Sequence, residues 1–96
     1  MLVHSVLFWL KPGVDKARFR TELTKLSAMP GLLSCHIGTP AATARRPIID
    51  VSYDFALTVA VKDVAAHDAY QIHPLHAAFL SACKDQWSKV QIYDAE

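Results

Sequence analysis

The stretch from Asp50 to Val61 constrains this chain more than any other. In it Val51, Tyr53, Phe55, Leu57, Val59 and Val61 alternate strictly with Ser52, Asp54, Ala56, Thr58 and Ala60. Side chains of a strand point alternately to its two faces, so the segment predicts a β-strand with one bulky face and one small face. Such a strand requires neighbours on which its bulky face can be buried.

The rest of the chain supplies them. Met1 to Leu10 reads as a first strand, with Val3, Ser5, Leu7 and Trp9 on one side and His4, Val6, Phe8 and Leu10 on the other. Pro12-Gly13 breaks it, and Asp15 is placed to cap a helix. Along that helix Phe19, Leu23 and Leu26 recur at the spacing of one buried stripe, and Pro30-Gly31 ends the segment. Leu32 to Thr39 alternates as a partly exposed or edge strand, with Leu33, Cys35 and Ile37 on one face. Pro40 to Asp50 has no period; Arg45 and Arg46 in this loop either sit in solvent or close on an anionic group. After the third strand, Asp63 caps a helix that Pro74 should interrupt near His73. Pro74 suits the first position of a following helix, whose stripe is His76, Phe79 or Leu80, Cys83 and Trp87. Val90, Ile92 and Asp94 share one side of a short last strand.

The order is therefore β-α-β-β-α-β with the second helix broken. This is the pattern of a ferredoxin-like α+β protomer with an antiparallel sheet, expected as a single domain over residues 1–96. Helices on one side leave the other face of a four-stranded sheet open. Leu7 and Trp9 lie opposite Val6 and Phe8, and the third strand carries its bulky stripe, so the open face is expected to exceed the apolar patch that a monomer normally exposes. At about 25 cal/mol per Å², covering a tryptophan and a few aliphatics contributes several kcal/mol. A homodimer packed sheet face to sheet face is the expected partner arrangement.

Composition excludes other classes. A formal net charge of +1 with interspersed acids and bases offers no stripe for phosphates, so no nucleic-acid partner is expected. The apolar runs are far shorter than a membrane span, so no membrane partner is expected either. Cys35 and Cys83 lie inside periodic apolar segments with no signal peptide before them, which reads as two free thiols in a soluble cytoplasmic protein.

The run Tyr70-Gln71-Ile72-His73-Pro74-Leu75-His76 concentrates the polar chemistry. Taken with His4, the loop arginines and Asp50-Val51-Ser52-Tyr53-Asp54, it resembles the stress-responsive dimeric α/β-barrel family, Dabb, from His4 to Asp94. The resemblance implies a ferredoxin-like protomer whose sheets form a barrel across a dimer. It also implies two functional classes: stress-associated proteins without assigned chemistry, and plant polyketide cyclases that carry out an intramolecular aldol condensation with no metal cofactor. By analogy with those cyclases the catalytic candidates are Tyr70 and His76, and His4 lines the pocket. By the same resemblance a further pocket histidine of the cyclases, in the third strand, falls near Ala56 here.

Read from the residues alone, His76 near a helix N-terminus is kept neutral and able to accept a proton, while the Tyr70 hydroxyl hydrogen-bonds a carbonyl or enolate oxygen. The structural alternative is a His76 that hydrogen-bonds backbone or Tyr70 and fixes the helix break. His73 reads as the cap before Pro74, and His36 and His67 as exposed. His73 and His76 without a matched carboxylate or cysteine set do not specify a metal site; no metal and no cofactor are expected. Small side chains at Ala56, Thr58 and Ala60 are expected to leave a cavity below the helices beside His4, Tyr70 and His76, with His73 and Phe79 also lining a ligand site; close helix-to-sheet packing is the alternative. Three functions follow: a homodimeric binder of a small, partly apolar ligand, a cofactor-independent cyclase-like lyase, and a self-associating structural stress protein.

Overall fold

The computed structural model describes residues 1–96, and its elements follow the expected order. They are β1 (Leu2–Leu10), α1 (Lys16–Thr24) continued by a 3-10 turn (Lys25–Ala28), β2 (Ser34–Gly38), β3 (Phe55–Val61), α2 (Val64–Ile72), α3 (Pro74–Cys83) and β4 (Trp87–Ala95). The strands form one four-stranded sheet in the order β2-β3-β1-β4, antiparallel at every pairing, with β2 at one edge and β4 at the other.

Local signals act as the residue types require. Gly13 takes a φ of 83° in the turn after β1. The Asp15 carboxylate accepts from the Arg18 amide at 3.1 Å and starts α1, whose stripe Phe19 and Leu23, extended by Leu26, is buried. Asp63 does the same for α2, accepting from the Ala66 amide at 2.9 Å.

The register decides which face the helices cover. His4 lies opposite Val59 and Asp94, and Val6 lies opposite Leu57 and Ile92. Leu2, His4, Val6 and Phe8 of β1 and Phe55, Leu57, Val59 and Val61 of β3 are buried. The bulky stripe of β3 thus packs under the helices rather than contributing to an open apolar face. Phe8, Phe19, Phe79 and Trp87 meet edge-on, tilted or stacked with centroids 5.3–6.5 Å apart, and Phe55 stacks on Phe19 at 5.6 Å.

The other face carries Val3, Ser5, Leu7 and Trp9, opposite Ala60, Thr58 and Ala56 on β3 and Ala95, Tyr93, Gln91 and Lys89 on β4. It is less apolar than the sequence suggested. Ala56 and Thr58 therefore lie across the sheet from His4 and away from the helices, which corrects their assignment to a ligand site. The reason is steric: the helix stripe needs the bulky side of β3 to fill the core, leaving the small side outward.

Two boundaries also differ. The ladder begins at Phe55 rather than Asp50, because the segment before it is held by side chains instead of by pairing. Asp50 accepts from the Ser52 amide at 2.8 Å and hydroxyl at 2.6 Å, Ser52 accepts from the Trp9 indole at 2.9 Å, and Asp54 accepts from the Leu10 amide at 2.7 Å. Trp87 opens β4 rather than closing the helical stripe: α3 ends at Cys83, the Gln86 amide donates to the Cys83 carbonyl at 2.9 Å, and the indole reaches the aromatic cluster from the strand.

Candidate functional site

The site is built around the break between α2 and α3. His73 ends α2 in an extended conformation (φ −64°, ψ 143°) and its imidazole Nδ1 accepts from the Leu75 amide at 3.1 Å, so one side chain stops one helix and caps the next. Pro74 occupies the start of α3, where a missing N–H costs nothing. This corner places Tyr70 on the last turn of α2 and His76 on the first turn of α3, with ring centroids 5.1 Å apart.

Between these helices and the sheet lies a cavity of about 260 Å³. Its polar groups are His4, Tyr70, Gln71 and His76, and its apolar wall includes Phe8, Leu57 and Phe79. Val90 and Ile92 of the edge strand β4, 37% and 46% exposed, carry the wall out towards solvent. His4, Tyr70, His76 and Phe79 thus line one cavity. His73 is not among the lining residues; it borders a separate hollow of about 120 Å³ with Met29, Leu32 and Tyr70, its imidazole already used in capping. Arg45 donates to the carbonyls of Ala41 and Thr43 within its own loop and does not reach the cavity.

The electrostatics follow from burial. The Tyr70 hydroxyl titrates well above its ordinary range, first through desolvation and then through Cys35. His76 is pushed below the usual histidine value, first by desolvation and then by the neighbouring charges of His4 and His67, so burial leads where the sequence pointed to the helix N-terminus. At neutral pH the pair is a neutral imidazole beside a neutral phenol. His76 Nδ1 is buried with no hydrogen-bond partner. A buried polar atom left in this way costs free energy until something pairs with it, so it marks a place where a ligand atom is favoured.

Beyond Tyr70 the polar rings continue. His4 packs edge-on against Tyr70 at 5.6 Å and against His67 at 5.0 Å, and its Nδ1–H donates to Asp94 Oδ1 at 2.5 Å. The family model described as the stress responsive A/B barrel domain matches residues 2–96. The chain belongs to that family.

Solved structures agree with this A/B barrel domain in fold. A Dabb-family protein with a ferredoxin-like fold from Mesorhizobium loti is 28% identical, with a TM-score of 0.79 over 99% of this chain and 94% of that one. A dimeric ferredoxin-like protein of unknown function from Thermobifida fusca is 26% identical, with a TM-score of 0.79 over 98% and 88%. A protein of Arabidopsis thaliana, 17% identical with a TM-score of 0.80 over 100% and 94%, shares the fold. No curated protein matches the chain.

In this A/B barrel domain the sequence reading missed His67, Gln71 and Asp94 as site residues. His67 was expected in solvent, yet its side chain is mostly covered by His4 and by Gln71, whose amide lies 3.4 Å from Nε2. Its position three residues before Tyr70 is the available signal, since that spacing shares a helix face. For Asp94 the signal was its alternation with Val90 and Ile92; its pairing with His4, across almost the whole chain, has none.

Proposed function

We propose that the protein binds a small, partly apolar molecule bearing a carbonyl or hydroxyl oxygen in the cavity between α2, α3 and the sheet. The observation that carries this reading is the unpartnered, buried Nδ1 of His76 beside Tyr70 on an otherwise apolar wall. The volume lies just under the range of about 300–1,000 Å³ common for ligand sites, which fits a single-ring compound. His76 and Tyr70 supply the polar contacts, and His4 and Phe79 line the remainder. The test is a panel of aromatic and aliphatic carbonyl compounds followed by calorimetry. Binding that weakens about tenfold in His76→Ala supports the reading; an affinity indifferent to His76 argues against it.

A second reading rests on the same pair. A neutral His76 facing a neutral Tyr70 has the protonation states required for removal of a proton next to a carbonyl and for hydrogen bonding of the enolate oxygen, as in a cofactor-independent cyclisation. Turnover of a bound carbonyl compound that is abolished in His76→Ala, with binding of the product retained, selects this reading over simple binding. A chain that assembles but binds none of the panel is a structural stress protein.

The functional unit in either reading is a homodimer formed through the open sheet face, where Val3, Leu7, Trp9 and Tyr93 are the apolar groups. Its support is the relatives described as dimeric. The cytoplasm is the compartment that suits the free thiols of Cys35 and Cys83.

A further inference from the structure

We propose that His4, His67 and Asp94 form a binding site for a divalent transition-metal ion of the zinc or ferrous class. The three residues come from β1, α2 and β4, and one ligand atom from each lies within 4.8 Å of the others. Asp94 is the bridge. Its Oδ1 accepts from His4 Nδ1 at 2.5 Å, and its Oδ2 lies 3.7 Å from His67 Nε2, so one carboxylate faces two imidazoles.

Metal–nitrogen and metal–oxygen bonds of about 2.0–2.2 Å hold neighbouring ligand atoms roughly 3 to 3.5 Å apart. A separation at the 4.8 Å limit must therefore close by about 1.3 to 1.8 Å. The group able to move is Asp94, whose side chain is 42% exposed, whereas His4 is held at 2% exposure. Two imidazole nitrogens and one carboxylate suit zinc or ferrous iron; magnesium and calcium prefer oxygen ligands throughout.

The surroundings support ligation. His67 Nδ1 has Asp68 Oδ1 at 3.2 Å, the carboxylate partner on the far nitrogen that orients a ligating imidazole and leaves Nε2, 3.7 Å from Asp94 Oδ2, as the ligating atom. In that tautomer Nε2 is an acceptor with only the Gln71 amide at 3.4 Å as donor, a long contact that a cation between Nε2 and Oδ2 would replace. Binding also displaces the proton that His4 shares with Asp94. Because His4 belongs to the cavity wall, a fourth ligand can enter from that side. The proposal does not depend on His76, and it uses a different set from the His73–His76 pair that the sequence brings together.

The test uses untagged protein stripped with chelator. Zinc is titrated by calorimetry at neutral pH, and cobalt is followed by visible absorption. The expected result is one ion per chain at about micromolar affinity or tighter, weakened about tenfold or more in Asp94→Asn and in His67→Gln. Affinity should stay within about twofold in His36→Gln, an exposed histidine on β2 outside the set. Asp94→Asn keeps an acceptor opposite His4, and circular dichroism verifies its fold. Absence of stoichiometric binding by the wild-type chain overturns the proposal. So does unchanged affinity in both folded variants, or a thiolate-to-cobalt charge-transfer band, which would place the ion on a cysteine.

Discussion

His4 and Asp94 stand opposite each other on adjacent antiparallel strands and share a hydrogen bond of 2.5 Å across a sequence separation of 90 residues. The bond satisfies a buried imidazole N–H with a carboxylate that itself remains partly in water. Removing the acceptor in Asp94→Ala leaves that donor to whatever water enters from the exposed side. The expected loss is about 1 kcal/mol, the low end for an unpaired buried group. Urea unfolding measures it, and an unchanged midpoint would show that the bond contributes nothing.

Phe19 is completely buried and touches Phe8, Phe55, Phe79 and Trp87. Phe19→Ala should cost about 3–5 kcal/mol through lost burial and the cavity left behind. In a domain whose whole stability is about 5–15 kcal/mol, this takes the chain close to unfolding at ambient temperature. Thermal melting followed by near-ultraviolet dichroism reads the effect directly.

The His73 imidazole caps α3 but does not enter the main cavity. His73→Ala should lose about 1 kcal/mol of stability, and His73→Asn should recover most of it. Ligand affinity should stay within about twofold in both variants. A loss of affinity as large as that from His76→Ala would instead place His73 in the site.

The pH dependence of His76 has a definite sign. Its folded-state pKa lies below the ordinary 6.5, so between those two values the unfolded chain binds more protons than the folded one. The contribution to stability is complete above 6.5 and is lost as the pH falls through the folded value. The ¹³C-detected titration of His76 should therefore have a midpoint below 6.5, and His76→Gln should flatten the acid limb of the stability profile. A midpoint above 6.5 contradicts the burial described for this ring.

Leu7 lies on the open face of the sheet, opposite Ala56 and Gln91. A charge there leaves the helix-side core intact but is desolvated without a partner if two sheets pack together. Leu7→Glu should therefore yield a monomeric mass by light scattering with an unaltered far-ultraviolet spectrum. Retention of a dimer would move the interface elsewhere.

Much of the fold was legible in local pattern. The alternation of Phe55 to Val61, the caps at Asp15 and Asp63, and the division of the helix at Pro74 are consequences of short-range geometry. Which face of β3 the helices cover was not legible, because strict alternation is symmetric until a partner strand is chosen. The pairing of His4 with Val59 resolves it and moves Ala56 and Thr58 to the far side. Trp87 misled for a related reason: four residues after Cys83 fits a helical stripe equally well, and Lys84-Asp85-Gln86 contains no glycine or proline to announce the turn. Tyr70 and His76 were found because the proline that separates them is visible in the sequence. His67 and Asp94 become site residues only through contacts between distant elements.

The pairing of β1 with β4 brings opposite ends of the chain together, from Val3 with Ala95 to Leu10 with Trp87. Closing so long a loop costs chain entropy that local contacts cannot offset, and topologies of this kind fold slowly for their size. The cavity takes His4 and Phe8 from the first strand and Val90 and Ile92 from the last. It therefore stays open on two sides until this ladder has formed, which ties acquisition of the binding site to the meeting of the chain's two ends.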